Sequence, residues 1–233
     1  GICKATVMAF ARQGATAICA DVNAAKGEEL KKEAAGAKLS VDYVAIDLGN
    51  SESIRAAAAE VLKRYPRVDI LVNAAGWGDI QPYMQNTPEF INRVIAINLA
   101  GPAHLTKALL PPMIAANGGK IINIASDAGR VGSGGETVYA GAKGGLIAFT
   151  KSLAREVARY SINVNCVCPG PTDTPMLATR SEKLREAFLK AIPFRRFAKP
   201  EEIADAVVYF ASPQSAYVTG QVMSVSGGLT FAG

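Results

Sequence analysis

The residues best suited to chemistry are Tyr139 and Lys143, which lie four apart in a pattern that predicts a helix. Residues at this spacing share one helix face, with about 5–6 Å between their Cβ atoms, so an ammonium lies beside a phenol. A free phenol has a pKa near ~10 and is protonated at neutral pH, whereas a neighbouring cation favours the phenolate. Such a pair can exchange a proton with an alcohol or ketone oxygen. The alternative is an ordinary helical Tyr/Lys pair.

Ser126 is the next candidate, because it follows the apolar run Lys120–Ile124 and precedes Tyr139 by 13 residues. A strand over that run would place the serine hydroxyl at the sheet edge where ligands bind in open parallel sheets. The three residue types together predict a proton-transfer site built from serine, tyrosine and lysine.

The elements that must position these groups are short apolar strands alternating with Ala-rich helices. Continuous hydrophobicity in the strands predicts burial on both faces, and the alternation predicts βαβ units with right-handed crossovers. The predicted strands are Ala17–Ala20, Val41–Ile46, Val68–Val72, Lys120–Ile124, Ile162–Val167 and Val222–Val225. The predicted helices are Lys4–Gln13, Ala24–Ala35, Ser51–Arg64, Thr87–Ala116, Val138–Ala158 and Pro200–Ala211. We expect one α/β domain over residues 1–233, with a Rossmann-like, doubly wound parallel sheet.

Length and composition agree with an enzyme core. A chain of 233 residues fits one α/β domain. Its 25 Lys and Arg exceed its 20 Asp and Glu without any dense basic run, so nucleic acid is not an expected partner. No apolar stretch reaches the roughly 18–20 residues of a membrane span, and no signal-peptide pattern opens the chain. We therefore expect a cytoplasmic protein with no membrane partner.

The cysteines and the single histidine do not predict a metal site. Cys3, Cys19, Cys166 and Cys168 form neither a disulfide framework nor a zinc pattern. Cys166 and Cys168 alternate with Val167, so their side chains should share one face of a strand as free thiols. His104 falls in a long helical pattern without partner ligands, and we interpret it as structural.

Polar or Gly-rich residues follow five predicted strands, at Asp21, Asp47, Asn73–Gly76, Ser126 and Pro169–Gly170. Ligands of doubly wound sheets bind at this edge. Asp21 can bind the two ribose hydroxyls of NAD while its charge repels the 2′-phosphate of NADP, and a helix-capping aspartate is the alternative. Asp47 can accept from the adenine amino group, with a turn aspartate as the alternative.

In this order the motifs resemble the short-chain dehydrogenase/reductase family over nearly the whole chain. The resemblance implies an NAD-dependent oxidoreductase that interconverts a secondary alcohol and a ketone. It implies that Tyr139 is the general acid/base and that Ser126 positions the substrate oxygen. It further implies that Lys143 holds the nicotinamide ribose and lowers the tyrosine pKa, while Asn98 supports a water-linked proton relay. The expected cofactor-binding residues are Gly1, Ile2, Asp21, Asp47, Leu48, Asn73, Ala74, Gly76, Tyr139, Lys143, Pro169, Gly170, Thr172 and Thr174.

The first residues depart from the family's glycine loop. Gly1–Thr6 matches only the end of TGxxxGIG, and Cys3 stands at the third glycine. In the family a central strand precedes this loop, and its loss would leave buried backbone groups unpaired at about 1–3 kcal/mol each. We therefore expect a truncated sequence whose first strand is missing, and weak cofactor binding if the 233 residues are the whole protein. The alternative is a non-catalytic scaffold that has lost the nucleotide loop. The presence of all four catalytic residues, Asn98, Ser126, Tyr139 and Lys143, argues against it.

Substrate choice is expected to come from three segments, Trp77–Asp79, Asp127–Glu136 and residues 176–197. Trp77 is interpreted as the wall of an apolar pocket or as a core residue. The third segment contains a polar helix pattern, Ser181–Lys190, interpreted as a lid or as a surface helix.

Three local runs resemble the 2-hydroxycyclohexanecarboxyl-CoA dehydrogenases of alicyclic-acid degradation, namely Ile124–Gly132, Cys168–Thr174 and Ser224–Thr230. The implied substrate is a cyclic 2-hydroxyacyl-CoA ester that is oxidised with NAD. The alternatives are a 3-oxoacyl-thioester reductase and a sugar or cyclic-alcohol dehydrogenase. The family resemblance also implies a homotetramer formed through the long helices and the C-terminal strand.

Overall fold

The computed structural model describes residues 1–231, which form an α/β fold with parallel strands. The strands are β1 (Ala17–Asp21), β2 (Val41–Ala45), β3 (Ile70–Asn73), β4 (Gly119–Ile124), β5 (Ile162–Pro169) and β6 (Val222–Val225). The helices are α1 (Ile2–Arg12), α2 (Ala24–Gly36), α3 (Ser51–Arg64), α4 (Pro88–Ile95), α5 (Gly101–Ala115), α6 (Ala128–Val131), α7 (Thr137–Val157), α8 (Pro175–Ala178), α9 (Glu182–Ala191) and α10 (Pro200–Ala211). The predicted Rossmann-like α/β arrangement is confirmed.

The strands lie in two parallel sheets rather than in the single sheet that the sequence predicts. β1 pairs with β2, and the other four pair in the order β3-β4-β5-β6. Helix α1 joins the two parts. Its Met8 and Ala11 pack with β1 and α2, while Ile2 and Phe10 pack against the core between the larger sheet and α10. The orientation of the first sheet therefore depends on helix packing more than on backbone hydrogen bonds.

The centre of the larger sheet is buried on both faces, as its continuous hydrophobicity predicts. Ile121 and Val164 pack in one cluster with α5 and α7, whereas Ile122 and Val167 pack in another with α10. Successive side chains of a strand point to opposite faces, which explains this division. Burying each aliphatic side chain contributes about 1.5–3 kcal/mol, so β4 and β5 form a firm base for the residues that follow them.

One predicted helix, Thr87–Ala116, is wrong as a continuous α-helix. α4 ends at Ile95, a π-helical turn spans Ala96–Ala100, and α5 begins at Gly101. A π-turn adds one residue without changing the apolar pattern strongly, so periodicity does not reveal it. Apart from this interruption, the predicted helices and strands agree with the observed bounds to within two residues.

Cys166 and Cys168 share a strand face as predicted, with their sulfurs 4.0 Å apart, and both are free thiols. Within residues 1–231, no helix has the length and apolar character needed to cross a membrane. The same residues contain no cluster of three or more His, Cys, Asp or Glu side chains arranged to hold a metal ion.

Candidate active site

A cavity of about 540 Å³ lies at the carboxyl ends of β3, β4 and β5. It collects groups from segments far apart in the sequence, because the ends of neighbouring parallel strands meet at one edge. The sequence-predicted residues that line it are Gly1, Ile2, Ala74, Gly76, Ser126, Tyr139, Lys143, Pro169, Gly170, Thr172 and Thr174.

Tyr139, in the first turn of α7, is hydrogen-bonded to the side chain of Ser126, which follows β4. Burial of the phenol raises the pKa of Tyr139 to about 12; the nearby Glu136 carboxylate also raises it, while the bond to Ser126 lowers it. The Ser126 hydroxyl oxygen also accepts the backbone N–H of Ala128 at 3.2 Å. Tyr139 is therefore neutral at physiological pH and able to donate a proton.

Lys143 lies one turn further along α7 and is 2% exposed. Its Nζ donates to the carbonyl of Ile124 at 2.8 Å and lies 5.7 Å from the centroid of the Tyr139 ring. Burial lowers the pKa of Lys143 to about 8, which leaves it mostly charged at pH 7. Burial is the largest influence on the pKa of both groups, so the net effect on Tyr139 is a raised pKa. The lowering of the tyrosine pKa by Lys143 stays a prediction.

Asn98 is fully buried in the π-helical turn beside the cavity wall. Its Nδ2 donates to the carbonyls of Trp77 at 2.6 Å and Val94 at 2.9 Å, and its Oδ1 accepts the Trp77 N–H at 3.3 Å. A Cβ at Gly76 would lie 3.3 Å from Asn98 Oδ1 and 3.5 Å from Lys143 Nζ. Asn98 therefore fixes the loop after β3, and Gly76 keeps the space beside Lys143 open.

Asn73 lies below the cavity and is not among its lining residues. Its Nδ2 donates to Thr106 Oγ1 at 3.1 Å and to Asn123 Oδ1 at 2.8 Å. Asn123 in turn donates to Thr150 at 2.8 Å. This buried network links β3, β4, α5 and α7 directly beneath the candidate catalytic groups.

The two aspartates predicted to contact the cofactor interact with their own turns. Asp21 Oδ1 accepts the Asn23 N–H at 2.8 Å, and Asp47 Oδ1 accepts the Gly49 N–H at 2.8 Å. Leu48 packs beside Gly101, where a Cβ would lie 2.8 Å from the Leu48 Cβ. None of these predicted residues lines the cavity. Their cofactor-binding roles stay predictions.

The cavity offers groups that suit a nicotinamide dinucleotide. Gly1 is the N-cap of α1 and provides no side-chain cap, and the first helical residues line the cavity. The N–H groups of a first helical turn lack intrahelical partners and attract anionic phosphates. The Cys3 thiol, which stands at the family's third glycine, donates to the Ala74 carbonyl at 3.5 Å. The residues present therefore fit a dinucleotide.

Two of the segments expected to choose the substrate, Asp127–Glu136 and residues 176–197, contribute to the cavity lining. They supply Val131 and Glu136 from the first, and Met176, Leu177, Arg180 and Phe188 from the second. Ile80 and Leu229 also line the cavity and were not singled out as substrate residues. Trp77 does not line the cavity. It packs against Phe90 with ring centroids 5.3 Å apart and lies under the Arg93 guanidinium at 4.4 Å.

Known proteins resemble this chain over nearly its full length. A family model described as enoyl-(acyl carrier protein) reductase matches residues 1–230. A 3-oxoacyl-(acyl-carrier-protein) reductase of Thermotoga maritima is 40% identical, covering 98% of this chain and 93% of that protein. Nodulation protein G of Rhizobium sp. (strain N33) is 37% identical, covering 98% and 92%.

A solved structure extends the comparison to three dimensions. It is a phenylalanine-to-tryptophan variant of actinorhodin polyketide ketoreductase with NADPH, with a TM-score of 0.94, 31% identity, and coverage of 98% of this chain and 93% of that one. The fold, the matched family and the curated relatives agree. This chain belongs to the short-chain dehydrogenase/reductase family of oxidoreductases.

Proposed function

We propose that this protein reduces the 3-oxo group of an acyl thioester to a secondary alcohol. The observation that carries the proposal is the neutral Tyr139, bonded to Ser126 at the edge of a cavity with apolar walls. The names of the similar 3-oxoacyl reductases favour this substrate class. These names favour a 3-oxoacyl thioester over the cyclic 2-hydroxyacyl-CoA ester, which was the first substrate predicted from the sequence.

The direction follows from the proton that each reaction needs. Reduction of a ketone adds a proton to the oxygen, whereas oxidation of an alcohol removes one. Because burial raises the pKa of Tyr139 to about 12, the phenol holds its proton and suits the reductive direction. Ser126 donates a hydrogen bond to the same oxygen as negative charge develops there.

A bound nicotinamide supplies the hydride. Gly1 and Ile2 at the start of α1 would hold the pyrophosphate, and Thr172 and Thr174 the carboxamide, as the family resemblance implies. Lys143 would hold the nicotinamide ribose, and its ammonium, 5.7 Å from the centroid of the Tyr139 ring, would stabilise the phenolate left after proton transfer. Asn98 contributes by holding the loop that carries Gly76.

We propose NAD as the cofactor, on the basis of the Asp21 carboxylate at the end of β1. A carboxylate there accepts hydrogen bonds from a ribose diol and repels a 2′-phosphate. A homotetramer and a cytoplasmic location remain proposals from the family resemblance.

The test is a reductase assay that follows nicotinamide absorbance. Acetoacetyl-CoA and an acetoacetyl carrier-protein thioester are offered with NADH or NADPH, beside 2-hydroxycyclohexanecarboxyl-CoA with NAD in the oxidative direction. We expect reduction of the 3-oxo thioesters to have the highest kcat/KM. Faster oxidation of the cyclic alcohol, with no thioester reduction, would overturn the proposal.

A further inference from the structure

Arg180 joins the two sides of the cavity mouth. It follows α8, and its Nη1 donates to Asp79 in the loop after β3, while Nη2 reaches the Gly78 carbonyl at 3.4 Å. The Arg180 side chain is 14% exposed and that of Asp79 is 62% exposed. Asp79 is itself fixed, because its Oδ1 also accepts the N–H of Ile80 at 2.8 Å.

The loop that Arg180 holds lies directly against the candidate general acid. A Cβ at Gly78 would lie 3.1 Å from Cδ2 of the Tyr139 ring. A shift of Gly78 towards the ring would therefore displace Tyr139, and a shift away would widen the cavity beside it. Arg180 therefore acts on the position of Tyr139 through this glycine, and its charge also lowers the pKa of the Tyr139 phenol.

The segment that carries Arg180, residues 175–191, has one buried side chain, Leu177, and a cation–π contact from Arg185 to Phe197. Helix α9 has no fully buried residue, although its Phe188 lines the cavity. Among residues 1–231, Arg180 is the only side chain of this segment that donates a hydrogen bond outside it. Helices with few buried contacts open at low free-energy cost, so one ion pair can decide how often this segment is closed.

We propose that Arg180 is a positioning residue whose ion pair with Asp79 clasps segment 175–191 over the cavity and sets the fit of the thioester substrate against Tyr139. An ion pair with one largely exposed partner is weak. It favours the closed form over the open form by about fivefold and still allows the segment to open. The acyl chain enters when the pair separates, and Phe188 returns to the cavity wall when it forms again. This inference rests on the proposed reductase function only for the identity of the substrate.

The first test measures closure without activity. Hydrogen–deuterium exchange of the 175–191 backbone is compared in the wild-type protein, Asp79→Asn and Arg180→Gln, with Arg67→Gln as the matched control. Arg67 pairs with Asp69 at 2.6 Å on an exposed surface that does not line the cavity. We expect exchange in the segment to rise about threefold to tenfold in the first two variants and to stay unchanged in the control. Equal exchange in all four proteins overturns the clasp.

The second test separates fit from folding. With acetoacetyl-CoA, Asp79→Asn should raise KM about threefold to tenfold with a smaller change in kcat. Because salt screens the ion pair, a higher salt concentration should reduce the difference in KM between the wild type and the variant. The double variant Asp79→Arg with Arg180→Asp should recover part of the loss, whereas a loss equal to that of the single variants contradicts the inference. If the wild type reduces no thioester, the proposed function fails, and the exchange experiment still decides the clasp.

Discussion

Residues 1–64 and residues 65–231 place their candidate functional groups by different means. In the first region, Asp21 and Asp47 each accept a backbone N–H two residues further along the chain. In the second region, bonds that hold candidate groups also span long sequence separations, such as Lys143 to Ile124 and Asn98 to Trp77. The first region holds its aspartates by local turns, and the second adds bonds between distant segments. A surface substitution should therefore affect cofactor choice more easily than it affects proton transfer.

The cores differ in the same way. The smaller sheet has two strands and is connected to the rest through α1 and through the packing of α3 on α5, whereas β4 and β5 lie in the middle of the four-stranded sheet. Since the cavity takes residues from α1 as well as from β4 and β5, the active geometry depends on how these two units meet. Four predictions test this contrast.

The largest expected effect is in the packed region. Tyr139→Phe removes the proton donor, and general acid catalysis contributes about 10²–10⁴-fold, so kcat should fall by about 10³. Cofactor binding, followed by nicotinamide fluorescence, should stay within about twofold, since the variant keeps the ring. Tyr217→Phe is the control, because Tyr217 is fully exposed. A Tyr139→Phe enzyme with substantial kcat would disprove the role of Tyr139.

The next effect belongs to the first region. Asp21→Ser removes the charge expected to repel a 2′-phosphate and should raise the kcat/KM ratio of NADPH to NADH by about tenfold or more. Asp205→Asn, an exposed change on α10, serves as the control. An unchanged ratio would show that the turn interaction with Asn23 is the whole role of Asp21. The first region would then have no demonstrated part in cofactor choice.

The third prediction concerns pH. Because burial lowers the pKa of Lys143 from 10.5 to about 8, its charge is present below pH 8 and is lost above it. The kcat/KM for ketone reduction should be flat below pH 8 and fall by up to about tenfold per unit above it. The contribution of Lys143 to the free energy of unfolding should rise between pH 8 and 10.5, because the unfolded chain binds more protons than the folded protein in that range. A rate profile that is flat to pH 10 would contradict this assignment.

The elements of the fold were predictable because each depends on local patterns. Strand β6 and helix α3 have the predicted bounds, and Tyr139 and Lys143 share a face as their spacing requires. The π-turn at Ala96–Ala100 and the Arg180–Asp79 pair were not predictable. The first leaves the apolar period nearly unchanged, and the second joins residues 101 positions apart. The sequence also could not decide whether Trp77 lines the cavity or packs in the core, because its contact with Phe90 depends on tertiary packing.

The smallest expected effect is on the free energy of unfolding, compared between one substitution in each region. Asn123→Ala removes a bond to Thr150 and an acceptor for Asn73, both fully or nearly fully buried, and should cost about 1–3 kcal/mol of the free energy of unfolding. Ser40→Ala removes an exposed bond to Thr16 at 3.4 Å and should cost about 0.5 kcal/mol or less. Urea denaturation measures both. Equal losses would mean that the catalytic groups do not rest on a specially stabilised base, and that local turns hold the second region as they hold the first.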